Sequence, residues 1–384
     1  MGKKLIGLIA LLLTLGLGVV AGGAPRAVPE VSRAPGTPTA QAFTPPPVTT
    51  AKTSTEDEAW AKVVAAAKNE GKVTVYSLLY TGDIGLGLAE AFYKRYGIRA
   101  EMIAGGGAEL TERIRTERRT KSVIADVLEG SATYNILLMQ GEHLVSIAKE
   151  LPSLREDVWK VAMDYDGKGY IIVHTGLIMG PWVNTNLVKP EQEPKSWADL
   201  LNSQWEGKLL MNDPRTTTMA DIPVHLLNKY KLVDADYFAK LARQKLILAG
   251  PSPFAPTASL AKGDGAVVVA GTSNTGGQYK AQGAPIKPIV PREGTIGSGH
   301  GLSAIEASPH PNAAKVFINF VLSREGHDFE SKTLYILPLR KDVEDRSVYA
   351  GLQLPRVYMR TIEDDDQISK GFRDGVAAKL LGVR

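Results

Sequence analysis

The feature that most constrains the fold of this chain is a regular alternation of helix-like and strand-like segments that begins near residue 55. Ser54 provides a helix N-cap followed by acidic residues, and Gly71 ends the apolar helical pattern. Residues 72–77 then form a β-branched run that is typical of a strand. Because the same order repeats along the chain, the sequence predicts an α/β protein with mainly parallel sheets flanked by helices.

The pattern predicts individual elements in both halves of the chain. The first half is expected to contain strands at 99–103 and 125–128, a turn at 105–107 and a helix at 108–119. The second half is expected to contain strands at 209–211, 245–249, 266–270 and 286–290, and helices from about 218 and at 311–322.

These elements form two α/β sets within 384 residues, and extended segments near 171–185 and 286–305 flank the second set. If both segments cross between the sets, the second set is a lobe inserted into the first. We therefore predict a first lobe of residues 56–180 plus 291–384 and a second lobe of residues 181–290. The two crossing strands would form a hinge, with a cleft between the lobes.

The residues before the first helix have a different composition. Lys3 and Lys4 precede an almost wholly apolar run that ends in small residues, so residues 1–24 are predicted to be a secretory signal peptide. The alternative is an uncleaved anchor, although the run is shorter than the ~20 residues of a membrane span. Residues 25–55 contain seven prolines and are predicted to be a stiff linker. The folded part is therefore expected in the periplasm or on the outer face of the cytoplasmic membrane.

Charge and composition argue against several functions. Residues 1–55 hold five basic residues and one acidic residue, so they account for the whole net charge of +4, and the remainder is formally neutral. The basic cluster at 113–121 is interleaved with Glu117 and with Glu112 just before it, which favours a solvated helix face over nucleic-acid binding. The chain has no cysteine, which excludes disulfides, thiol catalysis and a lipidated cysteine.

Catalytic and metal motifs are weak. No two of the six histidines stand three or four residues apart, so no helical metal-ligand pair is offered. Ser298 lies close to His300, but we interpret residues 297–301 as a flexible glycine turn before a strand. The sequence therefore predicts no metal, no cofactor and no enzyme activity.

Three polar loops follow predicted strands, where open α/β sheets bind ligands. They are residues 105–109, 212–218 and 270–277. Glycine amides at a helix start bind anions, although a tight turn explains the first loop equally well. The second loop offers three hydroxyl groups, and a simple helix cap needs only one of them.

The chain resembles the bacterial extracytoplasmic solute-binding proteins of ABC transporters, which have the type II periplasmic-binding-protein fold. Within this family, it is most similar to the ferric-iron-binding branch. The resemblance runs from about Gly71 to about Arg340. It rests on the order of GKVTVYS (71–77), GGGAELTERI (105–114), ADVL (125–128), VNT (183–185), PKSWADLL (194–201), GKLLMNDP (207–214), GAPIKP (283–288) and PNAAK (311–315).

The resemblance implies a non-enzymatic receptor for an ABC importer. A small solute would enter the cleft, the lobes would close over it, and the closed form would dock on a membrane permease. A monomer is expected. Two alternatives stay open: a ferric-iron receptor of the same fold, and an envelope-tethered sensor or enzyme.

The chain departs from the iron-binding branch in the third polar loop. Iron binders hold the metal with adjacent tyrosines there, whereas this chain has Gly271 to Asn274, which are small and polar. A polar or anionic organic solute is therefore expected. If iron is bound, Tyr80 and Glu129 are the expected ligands.

The candidate solute ligands come from both lobes and from the crossing strands. They are Tyr76, Ser77, Gly106, Gly107, Ala108, Ser131, Trp182, Asn184, Arg215, Thr216, Thr217, Thr272 and Ser273. Asn184 matches an asparagine that often faces the cleft in this family. Arg215 is expected to bind an anion. Trp182 is either a ligand-binding residue or a residue of the hydrophobic core.

Overall fold

The computed structural model describes residues 55–161, 163–250, 252 and 254–383. These residues lie in one compact unit. The predicted signal peptide, and the predicted linker up to residue 54, lie outside the described residues. Within those ranges, no helix combines the length and the hydropathy needed to cross a membrane.

The elements alternate along the chain as the sequence predicts. The helices are α1 (Thr55–Glu70), α2 (Gly82–Tyr96), α3 (Gly107–Thr120), α4 (Ala132–Gln140), α5 (Asp221–Lys229), α6 (Tyr237–Ala242), α7 (Ala255–Lys262), α8 (Ser273–Ala281), α9 (Pro311–Leu322), α10 (Arg324–Leu334), α11 (Ile362–Arg373) and α12 (Val376–Leu380). The strands are β1 (Lys72–Ser77), β2 (Arg99–Ala104), β3 (Val127–Ser131), β4 (Leu144–Val145), β5 (Ile172–Asn184), β6 (Leu209–Asn212), β7 (Ile247–Ala249), β8 (Val267–Thr272), β9 (Ile286–Pro288), β10 (Thr295–Ile305) and β11 (Val357–Met359).

The prediction of a flexible turn at residues 297–301 is wrong, because these residues lie inside β10. Their glycines serve close packing instead of a bend. A side chain at Gly297 would collide with Met359, and one at Gly301 would collide with Ile171. Alternating glycine therefore lets neighbouring segments approach the backbone of β10 closely.

The main path of the sheet has the strand order β2-β1-β3-β10-β5-β8-β6-β7. Strands β1, β2 and β3 are parallel to one another, as are β6, β7 and β8. The long strands β5 and β10 lie between these two sets and pair with each other in the antiparallel direction. This arrangement confirms the α/β fold class predicted from the sequence.

Both long strands pass from one hydrophobic core to the other. In β5, Ile172 belongs to the first core and Val183 to the second. In β10, Ile296 belongs to the second core and Leu302 to the first. The first core defines lobe 1 and the second core defines lobe 2, so β5 and β10 form the predicted two-strand connection.

The C-terminal helices pack with lobe 2, although the sequence assigned residues 291–384 to lobe 1. Ile368 of α11 and Ala377 of α12 are buried in the second core. The chain reaches that core because β11 pairs with the first residues of β10, at the lobe 2 end of the crossing strand. The exact lobe boundaries stay a prediction.

Candidate functional site

A cavity of about 620 Å³ opens where the two lobes meet. Lobe 1 and the crossing strands line it with Leu78, Leu79, Gly105, Gly106, Gly107, Ala108, Glu109, Ser131, Tyr134, Leu177, Met179, Ser298 and His300. Lobe 2 lines it with Thr216, Thr217, Thr218, Met219, Ile222, Ser252, Phe254, Thr272, Asn274 and Thr275. The C-terminal segment adds Arg360 and Phe372.

Three helices begin at the wall of this cavity. Gly106, Ser131 and Thr272 are the N-cap residues of α3, α4 and α8; glycine has no side chain, and the hydroxyls of Ser131 and Thr272 make no capping hydrogen bond. The first N–H groups of a helix lack partners inside the helix and carry partial positive charge. The cavity wall therefore offers three sets of backbone donors to an anion.

Gly107 is required where α3 meets α4. A Cβ atom at this position would overlap the ring of Tyr134, so only glycine allows the ring to lie against the first turn of α3. Burial raises the pKa of the Tyr134 phenol, with nearby Arg360 opposing the shift. Tyr134 is thus a neutral hydrogen-bonding group at neutral pH.

Arg360 is the most distinctive side chain of the site. It is 4% exposed, and its Nε lies 3.0 Å from Oδ1 of Asp365. Its backbone N–H donates to the carbonyl of Gly297, which fixes it beside β10. Its Nη2 has no hydrogen-bond partner among the described residues. Because a buried polar group without a partner is costly, the guanidinium is prepared for an acceptor that enters the cavity.

Asp365 holds Arg360 in place and is itself held by lobe 1. Its Oδ1 accepts a hydrogen bond of 2.6 Å from the hydroxyl of Thr133 in α4. Its Oδ2 accepts one of 2.8 Å from the hydroxyl of Tyr165. These two hydroxyl donors fix the carboxylate, and the carboxylate fixes the guanidinium.

His300 forms the front of a buried ionic network behind the cavity wall. Its Nδ1 lies 2.7 Å from Oε1 of Glu129, a carboxylate that is fully buried. The other oxygen of Glu129 accepts from the Ser77 hydroxyl at 2.6 Å. Although burial opposes ionisation, the histidine partners hold the pKa of Glu129 well below its usual range. A fixed negative charge therefore stands behind His300.

The network continues to α10. His174 lies with Nε2 3.5 Å from Glu129 and with Nδ1 2.7 Å from Oε1 of Glu330. Burial alone would lower the pKa of His174, but the two carboxylates raise it to about 9. Tyr80 also donates to Glu330, at 2.6 Å. His174 is therefore a buried cation that lies between the buried carboxyl groups of Glu129 and Glu330.

The lobe 2 wall is polar but uncharged. The hydroxyls of Thr272 and Thr275 lie 2.8 Å apart. Asn274 is buried, and its Oδ1 has no hydrogen-bond partner among the described residues. Thr217 and Thr218 approach from the loop before α5. This wall can contribute hydrogen bonds, and none of its described lining residues has a charged side chain.

The structure brings together seven of the thirteen residues predicted as solute ligands. Those that line the cavity are Gly106, Gly107, Ala108, Ser131, Thr216, Thr217 and Thr272. Those that do not line it are Tyr76, Ser77, Trp182, Asn184, Arg215 and Ser273.

Tyr76, Ser77 and Ser273 face other protein groups. The Tyr76 hydroxyl donates to the carboxylate of Glu117, and the Ser77 hydroxyl donates to Glu129. The Ser273 hydroxyl accepts from the backbone N–H of Ile178 at 3.2 Å. These side chains support the strands from which the cavity loops emerge.

Trp182, Asn184 and Arg215 also have structural roles. The ring of Trp182 is buried in the core of lobe 2 against Gly276, where a Cβ atom would overlap it. The Asn184 side-chain amide donates to the carbonyl of Leu260 at 2.7 Å. Arg215 is half exposed and forms an ion pair with Asp213, from Nη2 to Oδ2 at 2.7 Å.

The residues expected to bind iron, Tyr80 and Glu129, do not line the cavity. Both are at most 1% exposed, and their oxygens are already bonded to Glu330, Ser77 and histidine nitrogens. Within the described part of the chain, no cluster of three or more histidine, cysteine or acidic residues is suited to hold a metal ion.

Sequence reasoning missed Arg360, His300, Tyr134, Asn274 and Thr275. The last two lie in the third polar loop, which had been recognised as a ligand-binding loop. His300 was assigned to the supposed glycine turn. No local signal marks Arg360, since a lone arginine before a helix N-cap is usually exposed.

The class of the protein follows from comparison with known families. A family model described as "Bacterial extracellular solute-binding protein" matches residues 141–354, which is more than half of the chain. The chain belongs to this family. It is the extracytoplasmic substrate-binding component of an ABC importer, as the sequence predicted, and such proteins deliver small molecules to ABC transporter permeases.

Relatives with similar sequences share most of the chain. One is a Salmonella typhimurium protein with the provisional name 2-aminoethylphosphonate-binding periplasmic protein, 25% identical over 285 residues, which are 71% of this chain and 80% of the relative. Another is an uncharacterized protein of Haemophilus influenzae, 24% identical over 280 residues, which are 70% of this chain and 78% of that protein.

Solved structures share the fold. The periplasmic binding protein AfuA from Actinobacillus pleuropneumoniae, with fructose 6-phosphate bound, has a TM-score of 0.63 at 21% identity and covers 81% of this chain and 98% of its own. Iron-bound HitA from Pseudomonas aeruginosa has a TM-score of 0.64 at 20% identity and covers 79% of this chain and 99% of its own. These similarities establish the periplasmic-binding-protein fold and leave the solute open.

Proposed function

We propose that this receptor captures a small solute with a phosphate or phosphonate group and releases it unchanged to a permease. The observation that carries the proposal is Arg360, which is buried at the cavity wall with no hydrogen-bond partner for Nη2 among the described residues. A guanidinium binds the oxygens of a phosphoryl group better than it binds a neutral solute, because it can donate two parallel hydrogen bonds to those charged oxygens.

The charges around the cavity support an anion. Arg360 and His300 are the nitrogen-bearing ionisable side chains of the lining, and Glu109 is its single carboxylate. The starts of α3 and α4 add backbone donors on the lobe 1 side of the cavity, and the start of α8 adds them on the lobe 2 side. A tetrahedral oxyanion has several acceptor oxygens and can use a guanidinium and backbone N–H groups at once.

The relatives support the same solute class. The provisional name of the Salmonella typhimurium relative specifies 2-aminoethylphosphonate, and AfuA was solved with fructose 6-phosphate. Both compounds carry a phosphorus oxyanion on a small organic body. Glu109 at the exposed rim would suit the ammonium group of an aminophosphonate.

A ferric ion suits the lining less well. Hard cations are held by several anionic oxygens. The cavity lining offers one carboxylate, Glu109, and one phenol, Tyr134, beside the cationic Arg360. We therefore propose iron only as an alternative that the binding experiment must exclude.

Isothermal titration with matched ligand pairs tests the proposal. Fructose 6-phosphate is compared with fructose, and 2-aminoethylphosphonate with ethanolamine, so that each pair differs in the phosphorus group. We expect micromolar or tighter binding of at least one phosphorus compound and no detectable binding of its partner. Equal binding within both pairs, or binding of Fe(III) citrate with no phosphorus compound bound, would overturn the proposal.

We further propose that the protein works as a monomer, without a cofactor and without nucleic acid. Light scattering on a gel-filtration column checks this proposal. A single species near the mass of one chain is expected with and without ligand.

A further inference from the structure

The segment from Val357 to Arg373, here called the strap, lies beyond the residues matched by the family model and contacts both lobes. It contains β11, Arg360 and α11. Helix α11 packs against α4, whose Ile136 belongs to a lobe 1 core cluster, and against α5, whose Val224 belongs to the lobe 2 core. One short segment therefore spans the mouth of the cleft.

Two adjacent aspartates of the strap bind opposite lobes. Asp365 accepts from Thr133 of lobe 1 at 2.6 Å, as described above. Asp364 binds α5 of lobe 2, where His225 Nε2 lies 2.7 Å and Lys229 Nζ 2.6 Å from its Oδ1. Successive side chains of α11 thus anchor the strap to the two sides of the cleft.

Both anchors are shielded from water. Asp364 is 2% exposed and Asp365 is 1% exposed. Burial alone would raise the pKa of Asp364, but hydrogen bonds from Lys229, the Thr361 backbone and His225 hold that pKa below its usual range. Asp364 is therefore a carboxylate at neutral pH, in a setting where salt screens ion pairs weakly.

We infer that the strap is an intramolecular tie that resists opening of the cleft and positions Arg360 at the solute. Opening by rotation about β5 and β10 would carry α4 and α5 apart, so it must break the Asp364 contacts or the Asp365 contacts. Arg360 and Asp365 stay together on the strap, whose Ile368 is buried in the lobe 2 core, so the Asp365 contacts with lobe 1 are the ones that opening breaks. The tie between lobes is independent of the solute; the effect on affinity rests on the proposed function.

The test releases the lobe 1 anchor by the double substitution Thr133→Val and Tyr165→Phe, which removes both hydroxyl groups that donate to Asp365. The control is Lys240→Met. Lys240 forms an ion pair of 2.8 Å with Asp236, and both residues lie in lobe 2. The natural chain has no cysteine, so Lys94→Cys on lobe 1 and Lys262→Cys on lobe 2, both exposed, allow specific spin labelling.

Electron–electron double resonance then measures the distance between the two labels in the ligand-free protein. We expect one narrow distance in the parent and the control, and an added population of longer distances in the release variant. The dissociation constant for the phosphorus ligand found by titration should rise roughly 5- to 20-fold in the release variant alone, since only the closed fraction binds with full affinity.

Identical distance distributions in the folded release variant and the control would overturn the tie. If the double variant does not fold by circular dichroism, Tyr165→Phe alone, which removes the 2.8 Å hydrogen bond to Asp365, takes its place in the test. Longer distances in the release variant, with no phosphorus compound bound by any variant, would leave the tie standing and refute the proposed solute class.

Discussion

The two walls of the cavity use different chemistry. The lobe 1 side presents His300 and the strap residue Arg360, with the buried ions Glu129, His174 and Glu330 stacked behind. The lobe 2 side presents threonine hydroxyls and the amide of Asn274. The difference indicates that recognition of charge is concentrated on one side, while the other side adds neutral hydrogen bonds when the lobes close.

The two lobes also differ in the charged partners of their buried carboxyl groups. In lobe 1, the buried carboxyl groups of Glu129 and Glu330 each face His174, although Oε2 of Glu330 makes no hydrogen bond among the described residues. In lobe 2, the buried carboxyl of Asp221 has an Oδ2 without a partner among the described residues. Substitutions in the two lobes test this contrast, and the largest effect is expected for the charged residues.

Removal of the Arg360 side chain should have the largest effect on binding. Arg360→Ala removes a buried charged partner of the solute, which costs about 2–5 kcal/mol, or a loss of affinity of roughly 30-fold or more. Titration with the phosphorus ligand measures this loss. The control is Arg215→Ala, which removes an arginine that pairs with Asp213 outside the cavity lining and should change affinity by less than about twofold. The reverse ranking of the two variants would restore Arg215 as the anion clamp.

The lobe 1 network should make stability fall at high pH. The pKa of His174 is raised from 6.5 to about 9. Protonated His174 therefore stabilises the fold fully below about pH 6.5, and this contribution is lost as the pH rises through 9. Urea unfolding at pH 6.5, 8 and 9.5 should show wild type losing roughly 2–3 kcal/mol more than His174→Gln. Parallel curves for the two proteins would show that His174 is not a buried cation.

The buried carboxyl of Asp221 in lobe 2 should affect stability in the opposite way to a carboxyl that is paired with a cation. Burial raises the pKa of Asp221 to about 6. Its favourable protonated form is therefore lost as the pH rises through about 6, and the folded protein is destabilised above that value. At pH 8, the free energy of unfolding of Asp221→Asn should exceed that of wild type by roughly 1–2 kcal/mol, and urea unfolding measures this difference. Near pH 4 the two proteins should differ little. A variant less stable than wild type at pH 8 would indicate that the carboxylate has a charged partner.

A change on the neutral wall should have the smallest effect. Thr275→Val keeps the shape of the side chain and removes one hydroxyl, which is worth about 0.5–1.5 kcal/mol, or a loss of affinity of roughly 2- to 10-fold. Titration compares it with Thr257→Val, a buried threonine of α7 outside the cavity lining. A loss as large as that of Arg360→Ala would remove the contrast between the two walls.

Much of the fold could be predicted from the sequence because it depends on local patterns. Helix α9 was predicted with its observed bounds, Pro311 to Leu322, from its apolar face and first-turn proline. Strand β1 was likewise predicted from a β-branched run. The ligand-binding loops after the strands could be predicted because parallel strands place their carboxyl ends at one edge.

The charged part of the site depends on distant parts of the chain and could not be predicted in the same way. Arg360 meets Gly297 and Asp365 only after the chain has crossed between the lobes and formed β11. Arg215 looked like an anion clamp because its loop is polar, but its partner Asp213 is two residues away. Burial of a single arginine is a tertiary property that periodicity does not record.

A crystal structure of the purified protein with bound 2-aminoethylphosphonate or fructose 6-phosphate tests the central claim most directly. We expect the phosphorus group on the lobe 1 side of the cavity, with an oxygen within about 3 Å of Arg360 Nη2. A phosphorus group bound at Arg215, or held by the lobe 2 threonines with no contact to Arg360, would contradict it.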